Sequence, residues 1–461
     1  VAGERRWPAG GAAALGARAG RRRGTRVTLA HVRRRDVAQG SVEEVFGTPP
    51  DVPGGDATTP PRSMRDRGHL VVLGCVLAYV PFTLLGYGTD IDVANVLRSG
   101  RRIVEDGEYE VSRLPGAVVN ELGTGLLDAL GGSVAVNLAG VALAALALWS
   151  VHRLVLDDGA RWPGWSTLLV AANPWFWLAA TSLGDFVWAL GFALGGAAAA
   201  HRDRRLLAGL LFGLSVGSRI STVLVVAAWL VAERLGERDH RPSWRASAMT
   251  GGTFLVVGVA CFVPSWLESG RSLDFLGHQP PFPGFGLNAG RWAVKNAAVI
   301  GVPAGIVFVL GVKRGFGALA RWQGSVVVRF AVFVVLGSEL LFLLFPWKPV
   351  HLLPVVVGVA LLVGASPAVK QRWLVALVMA QLLGGVVSTT IGEPDVPHHA
   401  RTGRVVIRLS EGPLLNDVRC RLDDRRDGPW PDAADPAQFQ AASTRSAILF
   451  DCQSETWKVT P

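Results

Sequence analysis

The stretch SVVVRFAVFVVLGSELLFLLF, from Ser325 to Phe345, decides the fold class. It is almost wholly apolar and near the ~20 residues that a helix needs to cross a ~30 Å hydrocarbon core. Leu70 to Leu85 and Val134 to Val151 have the same character. Of 461 residues, 50% are hydrophobic and 18% charged, against roughly a quarter charged in a soluble chain. Mean hydropathy is +0.34. These features predict an all-α polytopic membrane protein. A net charge of +10 raises nucleic acid as a partner, but no zinc-ligand spacing or stacking motif supports one. Much of the excess is arginine in the leader and beside helix ends, where it orients the chain.

Working outward, the hydropathy predicts about eleven spans: 69–87, 133–151, 165–181, 186–200, 206–220, 221–233, 247–264, 292–312, 325–345, 350–365 and 373–391. With the first running outward, the inside loops hold Arg153 and Arg161; Arg202, Arg204 and Arg205; Arg234, Arg238, Arg241 and Arg245; Lys313, Arg314 and Arg321; Lys370 and Arg372. Every inside loop is basic, as the positive-inside rule requires. The larger outside segments are then the first external loop, 88–132, the loop 265–291 and the tail 392–461. Residues 1–63 are rich in Gly, Ala, Arg and Pro, without an apolar core. They read either as a disordered cytoplasmic tail or as sequence upstream of a start at Met64, which would leave 64–391 as the membrane domain.

Cys75 and Cys261 fall within spans and read as small core residues, whereas Cys420 and Cys452 fall in the tail. An oxidising compartment permits a Cys420–Cys452 disulfide there. The tail reads as a small extracytoplasmic α/β or β unit, with strands at Val405–Leu409 and Ala447–Phe450.

The predicted outside face collects the polar groups. Asp90 and Asp92 follow the first span, and Val93–Val104 reads as an interfacial amphipathic helix whose Arg98, Arg101 and Arg102 suit lipid phosphate. Asp185 lies in the short turn after Ser182, Arg219 in another turn, His278 in the long loop, and Lys348 and His351 just after Phe345. A lone loop histidine is most often merely solvated, and Lys348 could simply anchor a helix end. Carboxylates at the bilayer edge are a functional signal by default. Glu339, deep in its apolar run, either meets a buried base or lines a cavity.

The first-loop pattern Gly-x-Tyr-x-x-Ser-Arg-x-Pro-Gly, Gly107 to Gly116, resembles polyprenyl-phosphate-sugar-dependent glycosyltransferases of the GT-C fold, those related to protein mannosyltransferases above all. Asn173-Pro174-Trp175-Phe176-Trp177, Gly217-Ser218-Arg219 and the Pro346 to Pro354 run look like that group too, over residues 69 to about 391. Where some relatives have an Asp-Glu pair, this chain has Asp90-Ile91-Asp92.

The resemblance implies inverting transfer of a sugar from a polyprenyl-phosphate-linked donor to an acceptor hydroxyl at the outer face. By motif position Asp90 is the base, with Asp92 its substitute, a contribution of roughly 10²–10⁴-fold. Asp185 would orient the acceptor or hold a divalent cation if one is used; no cofactor is required. Arg113, Arg219, Lys348, His351 and His278 are the lipid-phosphate candidates, the arginines foremost because they grip phosphate bidentately. The expected partners are the lipid-linked sugar, an acceptor glycan, lipid or protein, and membrane lipid. The Gly/Ala/Arg/Val bias points to a bacterial plasma membrane, with the site and tail extracytoplasmic. Two rivals stand beside this reading: a multi-span transporter or lipid flippase, and a catalytically inactive GT-C-like scaffold.

Overall fold

Helices build almost all of the computed structural model, which describes residues 68–88, 91–160, 162–182, 184–236, 241–273, 285–312, 315–346, 348–366, 368–391 and 407–427. Asp90, His278, Cys452 and the leader 1–63 lie outside the described residues. The order is α1 (Gly68–Tyr79), continued by a 3-10 turn (Val80–Leu85); α2 (Ile91–Glu105); α3 (Val118–Asp157); α4 (Pro163–Ala171); α5 (Pro174–Thr181); and α6 (Asp185–His201). Then come α7 (Arg205–Ser218), α8 (Val223–Arg234), α9 (Trp244–Glu268), α10 (Phe285–Ile300), α11 (Val302–Val312), α12 (Val326–Leu344), α13 (Leu353–Ala365) and α14 (Gln371–Val386). Strands β1 (Val387–Ile391) and β2 (Ile407–Glu411) pair antiparallel, and α15 (Pro413–Asp427) follows.

Among the described residues, four helices are long and apolar enough to cross a membrane: α1 with its 3-10 turn, α3, α9 and α12. Two bent pairs, α5 with α6 and α10 with α11, meet the same standard together. Their outer surfaces are apolar: on α9 Val256 is 72% exposed and on α11 Val309 is 70%. Such faces are tolerable only with hydrocarbon as solvent. The chain is a multi-pass membrane protein.

Small residues bring the helices together. Gly209, Gly213 and Gly217, one turn apart on α7, let it lie directly on α9, where any Cβ would strike Thr253, Val257 or Cys261. This is the small-xxx-small packing that membrane helices use in place of a hydrophobic driving force. Gly100 and Gly125 do the same for α2 and α3: a Cβ on Gly125 would lie 2.1 Å from the Gly100 carbonyl oxygen.

Several boundaries depart from the hydropathy reading. The segment read as one external loop, 88–132, holds α2 and the first part of α3, whose helix bends at Gly131–Gly132. The run 165–181 is two helices, because Asn173 caps α5 by accepting from the Trp175 and Phe176 amides, with Pro174 fixing the first turn. The run 292–312 breaks at Gly301, whose φ of +79° suits glycine, and turns by 88°. The last span ends at Val386, since Val387–Ile391 is strand. Its partner is Ile407–Glu411, so the strand expected at 405–409 pairs with the strand that continues the last membrane helix; the segment 447–450 lies outside the described residues.

The helix α15 is anchored through Arg421, 1% exposed. Its Nε donates to Asp417 Oδ2 at 2.8 Å, and Nη1 donates to the Thr181 carbonyl at 3.1 Å and the Phe82 carbonyl at 3.3 Å. Cys420 is buried beside it. Removing one partner of a buried ion pair costs about 3–5 kcal/mol. Arg421→Ala is therefore expected to lower the melting temperature in detergent sharply. A melting curve matching wild type would show that α15 does not hold the helices.

Candidate active site

Ionic contacts sort the polar groups into two sets at opposite ends of the helices. At one end Arg202 pairs with Asp157 (3.0 Å), Arg205 with Glu233 (2.9 Å) and Arg321 with Asp158 (2.9 Å). These join loops read as sharing the inside face. The other end carries the candidate site.

There, Lys348, Asp92, Arg113, Asp185, Arg219 and His351 form one continuous row. Lys348 Nζ lies 2.8 Å from Asp92 Oδ2, and Arg113 Nη1 lies 3.3 Å from the same oxygen. Arg113 reaches on to Asp185, whose Oδ2 also receives Arg219. Arg219 Nη2 stands 3.0 Å from His351 Nε2, and its guanidinium lies over the Phe186 ring at 3.7 Å from the centroid. Charge alternates along the row: Asp92 is shared by Lys348 and Arg113, Arg113 by Asp92 and Asp185, and Asp185 by Arg113 and Arg219. Exposure grades inward: side chains are 39% exposed at Lys348, 33% at Asp92, 25% at Arg113 and 3% at Asp185.

Every member but Arg113 is set by a helix end. Asp92 stands in the first turn of α2, whose Val93 and Val96 are buried against Val136 and Leu127. Asp185 opens α6, where the helix N-terminus favours an anion. Arg219 occupies the extended residue after α7. Lys348 precedes the tight turn Pro349–Leu352 entering α13, and His351 lies within it. Burial alone would raise the Asp92 carboxyl, but Lys348 and Arg113 outweigh it and hold it well below the usual carboxylate range.

Arg113 rides on the loop 106–117, and a residue not singled out in the sequence holds that loop. Glu121, fully buried on α3, accepts from the Ser112 amide at 3.0 Å, the Ser112 hydroxyl, and Tyr109 Oη at 2.8 Å. Burial and then the Glu121 charge raise the Tyr109 phenol well above its ordinary value, which keeps it a donor. From α9, Glu268 accepts from the Val111 amide at 3.1 Å. A carboxylate among the apolar residues that open α3 was the available signal, but that segment reads as loop by hydropathy. Phe186 had no signal of its own.

Two expectations change. Arg98, Arg101 and Arg102 do not form an open basic edge: they pair with Glu110 (3.5 Å), Asp128 (2.8 Å) and Glu108 (3.0 Å), because the acidic stretch 106–110 folds back along α2 and α3 supplies Asp128. Glu339 is met by neutral donors rather than a base among the described residues: Trp292 Nε1 donates to it at 2.6 Å and Asn296 Nδ2 at 3.1 Å. Among the described residues, no group of three or more His, Cys, Asp or Glu side chains is arranged to hold a metal ion. An apolar cavity of ≈ 60 Å³ lies at the break between α10 and α11, lined by Ile300, Ala304, Phe308, Val356 and Gln381. It is too small for a chain of isoprene units.

No family model matches this sequence, and no curated protein does either. A solved structure, that of ArnT from Cupriavidus metallidurans in the apo state, is similar at a TM-score of 0.47 and 15% identity. The match covers 64% of this chain and 59% of that one. At that level the likeness carries no weight for activity, which rests on the geometry of the row.

Proposed function

We propose that this chain is a GT-C-like membrane glycosyltransferase that moves a sugar from a polyprenyl-phosphate donor to an acceptor hydroxyl by inverting displacement at the outer membrane face. The observation that carries the reading is the alternating row, which places two arginines and a lysine beside two carboxylates at the ends of apolar helices. A departing lipid phosphate needs cations where its charge develops, and Arg113 and Arg219 offer planar, bidentate donors. Asp185, gripped by both guanidiniums, suits alignment of the arginines better than proton transfer.

Asp92 is the base that this geometry favours. In the free site its proton affinity is suppressed by Lys348 and Arg113. An incoming phosphate that draws those cations away would raise it, so the base would gain strength only once the donor is seated. The polyprenyl chain would lie along the lipid-facing grooves.

The test is Asp92→Asn in cells depleted of the wild-type chain, with envelope glycans as readout. Transfer is expected to fall by about 10²–10⁴-fold, the usual worth of a general base, with normal protein abundance. Unchanged glycans would sink the reading. The transporter reading draws on the two bent helix pairs, at 101° and 88°. Solute uptake abolished by Asp92→Asn while glycans stayed intact would favour it.

A further inference from the structure

Several serines and threonines in the helices of this protein turn their hydroxyls onto the carbonyl four residues back, and others, such as Ser99 and Ser215, find a carbonyl on another element. Ser150 bonds Leu146, Thr167 bonds Pro163, Thr181 bonds Trp177 and Thr250 bonds Ala246. This is the ordinary way for such a group to be satisfied inside a helix. Thr124 on α3 does not do so. Its Oγ1 is buried without a hydrogen-bond partner among the described residues, and so are both amide atoms of Asn120, one turn earlier. The two side chains are 0% and 1% exposed. The asparagines at 137, 173, 288 and 296, by contrast, all donate from Nδ2 to a carbonyl. Buried polar atoms left unmade are costly, and each needs a reason.

Their direction follows from helix geometry. Gly123 of α3 packs on the Trp188 ring of α6, while the Glu121 carbonyl and Gly125 meet Gly100 of α2. At 3.6 residues per turn, Asn120 and Thr124 point about 60° and 100° around the helix from Gly123, and Glu121 and Gly125 about 160° and 200°. Asn120 and Thr124 therefore face the wedge between α6 and α2. The N-termini of those helices carry Asp185 and Asp92, and Arg113 spans the two.

We infer that Asn120 and Thr124 are the sugar-reading wall of the site. They supply neutral hydrogen-bond donors and acceptors to hydroxyls of the glycosyl group whose phosphate sits on Arg113 and Arg219. A sugar hydroxyl both donates and accepts, and an amide beside a hydroxyl answers both needs. The inference rests on the proposed lipid-phosphosugar donor and adds which residues select its sugar.

The test uses the full chain in nanodiscs. Its probes are decaprenyl phosphate and the decaprenyl-phosphate esters of mannose, glucose, galactose and arabinose. Wild type is expected to bind at least one sugar lipid more tightly than the bare phosphate. Thr124→Val and Asn120→Leu are each expected to weaken that sugar lipid about tenfold, the worth of one well-made hydrogen bond. Bare decaprenyl phosphate should stay within about twofold of wild type. Melting temperature should hold or rise, because an unsatisfied buried group has been removed. Thr124→Ser keeps the hydroxyl and should bind as wild type. The inference is overturned if the variants keep full sugar-lipid affinity, if they lose both kinds of lipid equally, or if wild type does not tell sugar lipids from the bare phosphate. Wild type that binds no lipid phosphate at all would instead remove the proposed function on which the inference rests.

Discussion

Asp185→Ala is expected to abolish transfer and to destabilise the protein by about 3–5 kcal/mol, the cost of leaving a buried charge without its partner. The carboxylate is 3% exposed and receives both Arg113 and Arg219 on one oxygen. Without it the two guanidiniums lose the carboxylate between them, Arg219 being left beside His351 at the inner end of the row. Asp185→Asn keeps the shape and loses the charge, so it should retain part of the stability but none of the activity. Arg113→Gln in the Asp185→Asn background removes one of the two cations that the Asp185 charge had balanced. It should recover melting temperature relative to Asp185→Asn alone, a coupling that residues in contact show and distant ones do not. Strictly additive effects, or an Asp185→Ala protein that melts and transfers like wild type, would show that the row is not one electrostatic unit.

The second large effect is steric. Gly125→Leu should separate α2 from α3 and carry Asp92 away from Arg113. Even the Cβ would lie 2.1 Å from the Gly100 oxygen and 2.9 Å from its Cα, and neither backbone atom can yield alone. Overpacking usually costs about 1–3 kcal/mol, and a collision of two backbones sits at or beyond the upper end. The control is Gly74→Ala on α1, whose added Cβ meets nothing within 4 Å. That change should be neutral or slightly stabilising, since alanine is the better helix former. Equal melting temperatures for the two variants would contradict the close packing of α2 on α3.

Much of this was legible in the chain, for reasons that differ by residue. Long apolar runs report the bilayer directly, so α9 and α12 fall where hydropathy puts them. Asp92, Asp185, Arg219 and Lys348 stood out because charge is scarce at the ends of apolar helices, and the structure brings them into one row. What escaped was set by geometry that periodicity does not carry. Glu121 and Gly125 belong to a helix whose glycines and polar residues imitate a loop, yet those same residues admit α2 and hold Arg113 in place. Asn173-Pro174 marked its own helix break, whereas the break at Gly301 hid inside a continuous apolar run because a left-handed φ leaves hydropathy unchanged. The arginines of α2 were misread for the opposite reason: their charge was visible, but the acidic stretch folding back onto them was not.

The buried Arg421 has a consequence for biogenesis. It bonds backbone carbonyls made 240 and 339 residues earlier in the chain, at Thr181 and Phe82. Until the ribosome delivers that guanidinium, those oxygens lack their final donor, so the early helices wait in the bilayer as an unfinished assembly. Quality-control proteases should thus see a chain stopped before α15 as immature however well its first helices inserted.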